Sequence, residues 1–182
     1  MFYLYHKVPQ NGVKGNVLYP LNILKNIYPY LYQFEVAKYT GREKDMQKVI
    51  PVLNCMWNDV LHLSPVSPRD ICKELIVAGR KDDFSFTYFK VDPSVIERAN
   101  AVIYLFSYDN NGAIDNNEIV PYAPELVSKY TQVTSLAKKN YQRQIAAGKK
   151  ALLYYGLPHI LYKGCINIQN IPVATVYSSE FR

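Results

Sequence analysis

The 182-residue chain carries only three cysteines, three methionines and one tryptophan. No apolar run approaches the roughly 18 residues that a membrane-spanning helix needs. Cys55, Cys72 and Cys165 lie far apart, with no C-x-x-C pair and no histidine at ligand spacing. An odd, sparse count of this kind argues against a disulfide framework and fits a reducing compartment. Phosphate-cradling G-x-x-x-x-G-K-[ST] and G-x-G-x-x-G loops are missing, as is the G-x-S-x-G nucleophile turn, so P-loop, Rossmann and serine-triad readings have no positive support. Met1 leads directly into a strand-like segment rather than a signal peptide. The expectation is a cytoplasmic protein, or one exported without a cleavable signal peptide.

What is abundant is tyrosine, at 17 residues, within an apolar fraction of 49% that is ample for a core. Tyrosine joins an apolar body to a polar tip, so it suits half-buried strand faces and interaction surfaces alike. A codon bias would produce the same richness with no functional meaning. The net charge of +6 gives a mild attraction to anions without the dense patch that marks a nucleic-acid binder. The length fits one domain, 1–182.

Periodicity assigns the elements. Residues 2–8 alternate as a strand with Tyr3, Tyr5 and Lys7 on one face and Leu4, His6 and Val8 on the other. Gly12 and Gly15 punctuate a loop. Residues 21–39 have helical spacing, broken into two short helices by Pro29. Strand signals fill 49–66, divided by Pro51 and stopped at Pro65. Ser67 caps a helix over 67–78, with Pro68 at its first position, Asp70 closing a capping-box-like pair and Gly79 as its stop. Residues 84–91 alternate strictly. Asp92-Pro93 starts a short helical turn, and 101–106 reads as a buried central strand. A long helix is expected over 125–147, followed by strands at 151–155, 160–162, 165–168 and 173–177. Elements interleave with neither a β-α-β period nor an internal repeat. This predicts an α+β fold with a mixed or mostly antiparallel sheet of about six strands and flanking helices.

Four sets of residues can carry chemistry. The stretch from Ser107 to Glu118 follows the twelve-residue calcium loop with Asp109, Asn111, Gly112, Asp115 and Glu118 at positions 3, 5, 6, 9 and 12. Position 1 is Ser107 instead of Asp, the preceding segment is strand-like, and Pro121 and Pro124 interrupt any exiting helix. Turn chemistry alone accounts for such a polar connection. His6, His62 and His159 are unlinked in sequence, so only the fold can bring them into one site. Asp59 shares a face with Trp57, Leu61 and Leu63 if 57–63 is one strand, which would bury a carboxylate; the alternative is a turn at Asn58-Asp59. Lys129, Lys138, Lys139 and Arg143, with Lys149-Lys150 beyond, form a basic helix face, either a solvated surface or an anion and nucleic-acid contact.

The opening Tyr5-His6-Lys7-Val8-Pro9, followed by Gly12, Gly15 and Leu18-Tyr19-Pro20-Leu21-Asn22, resembles the start of ADP-ribosyltransferase-like proteins of the DarT and RNA 2′-phosphotransferase type. The resemblance covers about forty residues. It implies that NAD is the ligand, that His6 helps hold it, and that Arg42, in Tyr39-Thr40-Gly41-Arg42-Glu43, is a basic contact. That family's late-strand catalytic glutamate has no counterpart here, since 160–162 and 165–168 contain no Glu and Glu180 lies at the extreme C-terminus. His6, Arg42 and Asp59 are therefore the candidate catalytic residues, and a nucleotide or other anion the expected ligand. A protein- or RNA-interaction module built on tyrosines and basic surface is the alternative class, and a calcium-binding protein the third.

Overall fold

The strict alternation of 84–91 forms the strand around which half of the molecule is organised. A computed structural model describes residues 2–108 and 113–182. Its strands are β1 (Leu4–Lys7), β2 (Val17–Leu18), β3 (Val49–Ile50), β4 (Cys55–Met56), β5 (Leu61–Leu63), β6 (Ser85–Val91), β7 (Ala101–Tyr104), β8 (Ile119–Pro121), β9 (His159–Tyr162), β10 (Ile166–Asn167) and β11 (Val173–Tyr177). The α-helices are α1 (Leu21–Ile27), α2 (Pro29–Ala37), α3 (Pro68–Val77) and α4 (Ser135–Ala146), with single 3-10 turns between. The fold is α+β, as expected, but its strands are shared among several small antiparallel sheets.

β6 is the centre of a three-stranded sheet in the order β1-β6-β11, and β9 and β7 are the inner strands of a four-stranded sheet in the order β5-β9-β7-β8. Alternation then sorts the side chains. The Leu4↔Val91 and His6↔Phe89 pairs share one face of the first sheet. Leu4, Phe89 and Val91 pack from it onto Leu63, Ile103 and Ile160 of the second sheet. Phe86, Tyr88 and Val176 face the other way, onto Ile71, Cys72 and Leu75 of α3 and Ala137 and Tyr141 of α4. The far face of the second sheet carries Val102, Tyr104 and Leu161 against Ile50, Val60 and Ile114.

At their adjoining edges the sheets are tied by a single bridge, Tyr5 to Ser64. The Tyr5 amide donates to the Ser64 carbonyl at 2.8 Å and the Ser64 amide to the Tyr5 carbonyl at 2.9 Å. β1 and β5 therefore meet at one point and splay apart beyond it.

Most local signals act as expected. Pro29 divides α1 from α2. The Ser67 hydroxyl accepts from the Arg69 amide, Pro68 opens α3, and Gly79 stops it at φ +98°. Asp92 caps its short turn through the Ser94 amide. Two expectations fail. The helix over 125–147 is two elements: a 3-10 stretch Pro124–Tyr130, then α4. Thr134 separates them, because its hydroxyl accepts from the Ala137 amide at 3.1 Å and donates to the Gly156 carbonyl at 2.5 Å; a side chain that caps a helix cannot lie in the middle of one. Residues 151–155 form turns instead of a strand. Ala151, Leu153 and Tyr154 do pack into the core beside α4, but the Leu153 carbonyl accepts from the Tyr141 hydroxyl and not from a neighbouring strand. Gly156 ends that passage at φ +70°, where a Cβ would lie 2.8 Å from Leu136 Cγ.

Candidate functional site

Where β1 and β5 splay apart there is a half-open cleft of about 90 Å³. His6 projects into its lining from β1 and His62 from β5; Asn58 comes from the 3-10 turn Trp57–Asp59. The loop after β1 contributes Gly12 and Lys14, and the α1–α2 hairpin closes the opposite wall with Leu24, Glu35 and Lys38. Gly12 stands at φ +77°, a left-handed conformation that glycine adopts without penalty, so the loop turns back across the cleft mouth.

Three buried side-chain polar atoms among the described residues have no hydrogen-bond partner: His6 Nδ1, Asn58 Oδ1 and His62 Nδ1. All three belong to residues of this one cleft. Buried polar atoms are almost always satisfied, and each exception requires a reason. Asn58 is only 5% exposed, so its amide oxygen sits where solvent reaches poorly.

The histidines are kept neutral. Burial pushes His6 down to about 4, aided by the Lys38 charge. His159 is likewise lowered to about 4, chiefly by burial. His62 falls well below the usual imidazole range, first through burial and then through His159, with Lys38 and His6 adding to it. The fold thus gathers the three histidines that are unlinked in sequence. His62 and His159 have ring centroids 6.2 Å apart, and Trp57 lies against both, at 4.2 and 6.0 Å. No cluster of three His, Cys, Asp or Glu side chains among the described residues is arranged to hold a metal ion.

The tautomer of His62 follows from its partner. Its Nε2 lies 2.9 Å from the Trp57 carbonyl, which can only accept. Neutral His62 therefore carries its proton on Nε2, and Nδ1 is a bare acceptor.

The remaining candidates sit elsewhere or do other work. Asp59 lies on a turn, not on a strand face. Its carboxylate accepts from the Met56 amide at 2.7 Å and from Asn22 Nδ2 at 2.6 Å, which ties α1 to the turn carrying Asn58. Arg42 does not line the cleft. Its guanidinium donates to the Lys38 carbonyl at 2.7 Å and stacks over the ring of Tyr39, which does. The cationic groups at the cleft are Lys14 and Lys38, with Lys38 3.2 Å from Glu35. Glu180 pairs with Arg69 on α3 and is no part of the site. Sequence reasoning missed Asn58, Lys38 and Glu35, because what singles them out is a shared cavity and not a spacing.

Of the calcium-type loop, Asp109, Asn111 and Gly112 lie outside the described residues. Both oxygens of Glu118 are engaged by Ser107, one accepting from its amide at 2.6 Å and the other from its hydroxyl at 2.5 Å. Asp115 accepts from the Tyr108 hydroxyl and the Asn117 amide. Positions 1 and 12 of the pattern are thus bonded directly to each other, closing the loop as a clasp. On the basic face, the break at Thr134 puts Lys129 on a different element from Lys139 and Arg143. Lys138 pairs with Glu74 at 2.7 Å and Arg143 reaches Asn140 at 3.3 Å.

No family model, curated protein or solved structure matches the chain. The cleft must therefore be read from its own chemistry. Its lining offers neutral hydrogen-bonding atoms, two lysines and one carboxylate, and no serine, threonine or cysteine nucleophile. Such a lining has the chemistry to hydrogen-bond and charge-pair with a ligand.

Proposed function

We propose that this chain is a nucleotide-binding domain of ADP-ribosyltransferase-like type, with NAD or a mononucleotide as ligand and the cleft between β1 and β5 as its site. The observation that carries the reading is the convergence of all three unpartnered buried polar atoms of the described residues on this cleft. Ligand hydrogen bonds would satisfy them, and Lys14 and Lys38 would attract a phosphate. Enclosed room of about 90 Å³ is smaller than the several hundred Å³ typical of ligand pockets. One end of a nucleotide therefore enters while the rest lies along the open side.

A thermal-shift titration tests this. Millimolar NAD or a mononucleotide should raise the melting temperature, and His6→Ala should abolish the rise. Arg42→Ala should leave it nearly intact, because Arg42 braces Tyr39 from outside the cleft. Absence of any shift from the whole nucleotide set would overturn the proposal.

A second reading, a protein-interaction module, draws on the α1–α2 hairpin. There Ile27, Tyr30 and Phe34 are exposed, Tyr30 to 70%, and the Tyr30 and Phe34 rings meet edge to face at 4.9 Å. A Tyr30→Ser/Phe34→Ser variant that loses no partner from a pull-down while keeping its fold would remove that reading.

A further inference from the structure

Resting on the nucleotide-binding reading, we propose that the cleft selects ligands by a neutral –NH2 group on a planar ring, held by Asn58 Oδ1 and His62 Nδ1. The shared chemistry is a two-donor edge, which an exocyclic base amine and a ring carboxamide both present. Lys14 and Lys38 serve the phosphate of the same ligand.

The donor–acceptor inventory leads to this class. His62 can offer only an acceptor at Nδ1, since its Nε2 proton is committed to the Trp57 carbonyl at 2.9 Å. Asn58 Oδ1 is an acceptor by nature, and its side chain is more than nine-tenths buried. His62 Nδ1 and Asn58 Oδ1 are two acceptors that the fold leaves unpaired beside the cleft, and a group with two N–H bonds would pair with both where a carbonyl or carboxylate would pair with neither. The neutral histidines themselves offer an anion no charge attraction, so the positive charge felt beside them is that of Lys38. The charged side chains Lys14 and Lys38 come from the loop and the hairpin, so the ligand's two ends find different chemistries.

The two acceptor atoms are covered, so the walls must part further for a ligand to reach them. The hairpin wall is built for that. α1 buries no residue and α2 buries only Leu31, and the Asn22–Asp59 hydrogen bond links α1 to the turn that bears Asn58. Elements with few buried apolar contacts open at low free-energy cost.

Paired ligands read out the selection by isothermal titration at pH 7.5. Adenosine monophosphate against inosine monophosphate exchanges a base amine for a carbonyl. Nicotinamide mononucleotide against nicotinic acid mononucleotide exchanges a carboxamide for a carboxylate. The amino member of at least one pair should bind roughly 10- to 100-fold tighter, because its partner leaves acceptors facing acceptors. Whichever pair shows the preference identifies the source of the –NH2 group. In Asn58→Ala the preference should shrink by about tenfold while the weaker ligand binds as before. Equal binding within both pairs overturns this inference and leaves nucleotide binding standing. Failure of all four ligands to bind overturns both. The wild-type comparison decides the matter even if the variant does not fold.

Discussion

Two helical segments pack against the sheets of this molecule, and they do so very differently. α3 buries Pro68, Ile71, Cys72 and Leu75 against the first sheet, and its cap and stop are complete. The α1–α2 hairpin covers the cleft with only Leu31 buried and leaves Ile23, Ile27, Tyr30 and Phe34 largely exposed. The apolar face of α3 is consumed by the core, so the helix is structural cover. The hairpin spends little of its apolar surface on the fold, and the cleft behind it holds the unsatisfied polar atoms. Loose cover over unsatisfied groups suits the binding role we propose, because tight packing would oppose the opening that entry needs.

Acid should break the comparison most strongly, since the neutral buried histidines belong to the cleft and the sheet beside it and none belongs to α3. Their folded pKa values lie below the unfolded value of about 6.5. As pH falls below that value the unfolded chain takes up protons that the folded chain refuses, so stability drops until the folded pKa near 4 is passed. His159 alone should account for about 3 kcal/mol across this window. Urea unfolding at pH 7 and pH 4.5 measures it, and His159→Gln should flatten the dependence. A stability that is level from pH 7 to pH 4.5 would mean the imidazoles are not held neutral.

Core truncation comes next. Leu75→Ala, at a fully buried position of α3, should cost about 3 kcal/mol in the same experiment. Leu24→Ala on α1, where the side chain is half-buried, should cost about 1 kcal/mol or less. Equal costs would mean that the hairpin is as firmly packed as α3. Thr134→Ala tests a cap on the tightly packed side and should cost about 1 kcal/mol. A silent substitution there would show that the Thr134 bonds do not set the start of α4. The smallest effect is expected at Ile27→Ala, within about 0.5 kcal/mol, since its side chain is 47% exposed. Hydrogen exchange should agree with this order: amides of α1 and α2 should exchange well before those of α3, and comparable protection would contradict the movable wall.

Legibility in the sequence followed the range of the interaction. Ser67, Pro68 and Gly79 act within α3 or one residue outside it, so its position could be read directly. β6 was visible for the same reason, as was the division of α1 from α2 at Pro29. The segment 151–155 was misread because its residues are as apolar as a strand's, yet a strand also needs a partner edge, and here Tyr141 takes the backbone carbonyl. The 125–147 helix was read through because an apolar stripe does continue across it; the break comes from a threonine whose second partner, Gly156, lies 22 residues away. Arg42 was singled out by the resemblance and Asp59 by an apolar strand face it would share, and the structure uses them to brace Tyr39 and to cap a turn.

The scarcity of cysteine, the missing phosphate loops and the capped helix were determined by the sequence alone, because each depends on composition or on neighbours a few positions apart. That His6, Asn58 and His62 line one cleft, and that Ser107 and Glu118 close on each other where a calcium pattern suggested an ion, was decided only by tertiary structure. The register of β1 against β6, and of β5 against β9, sets which way each histidine points. The single bridge between Tyr5 and Ser64 then sets how far apart the two walls stand. Those pairings join residues tens of positions apart, and no local periodicity encodes them.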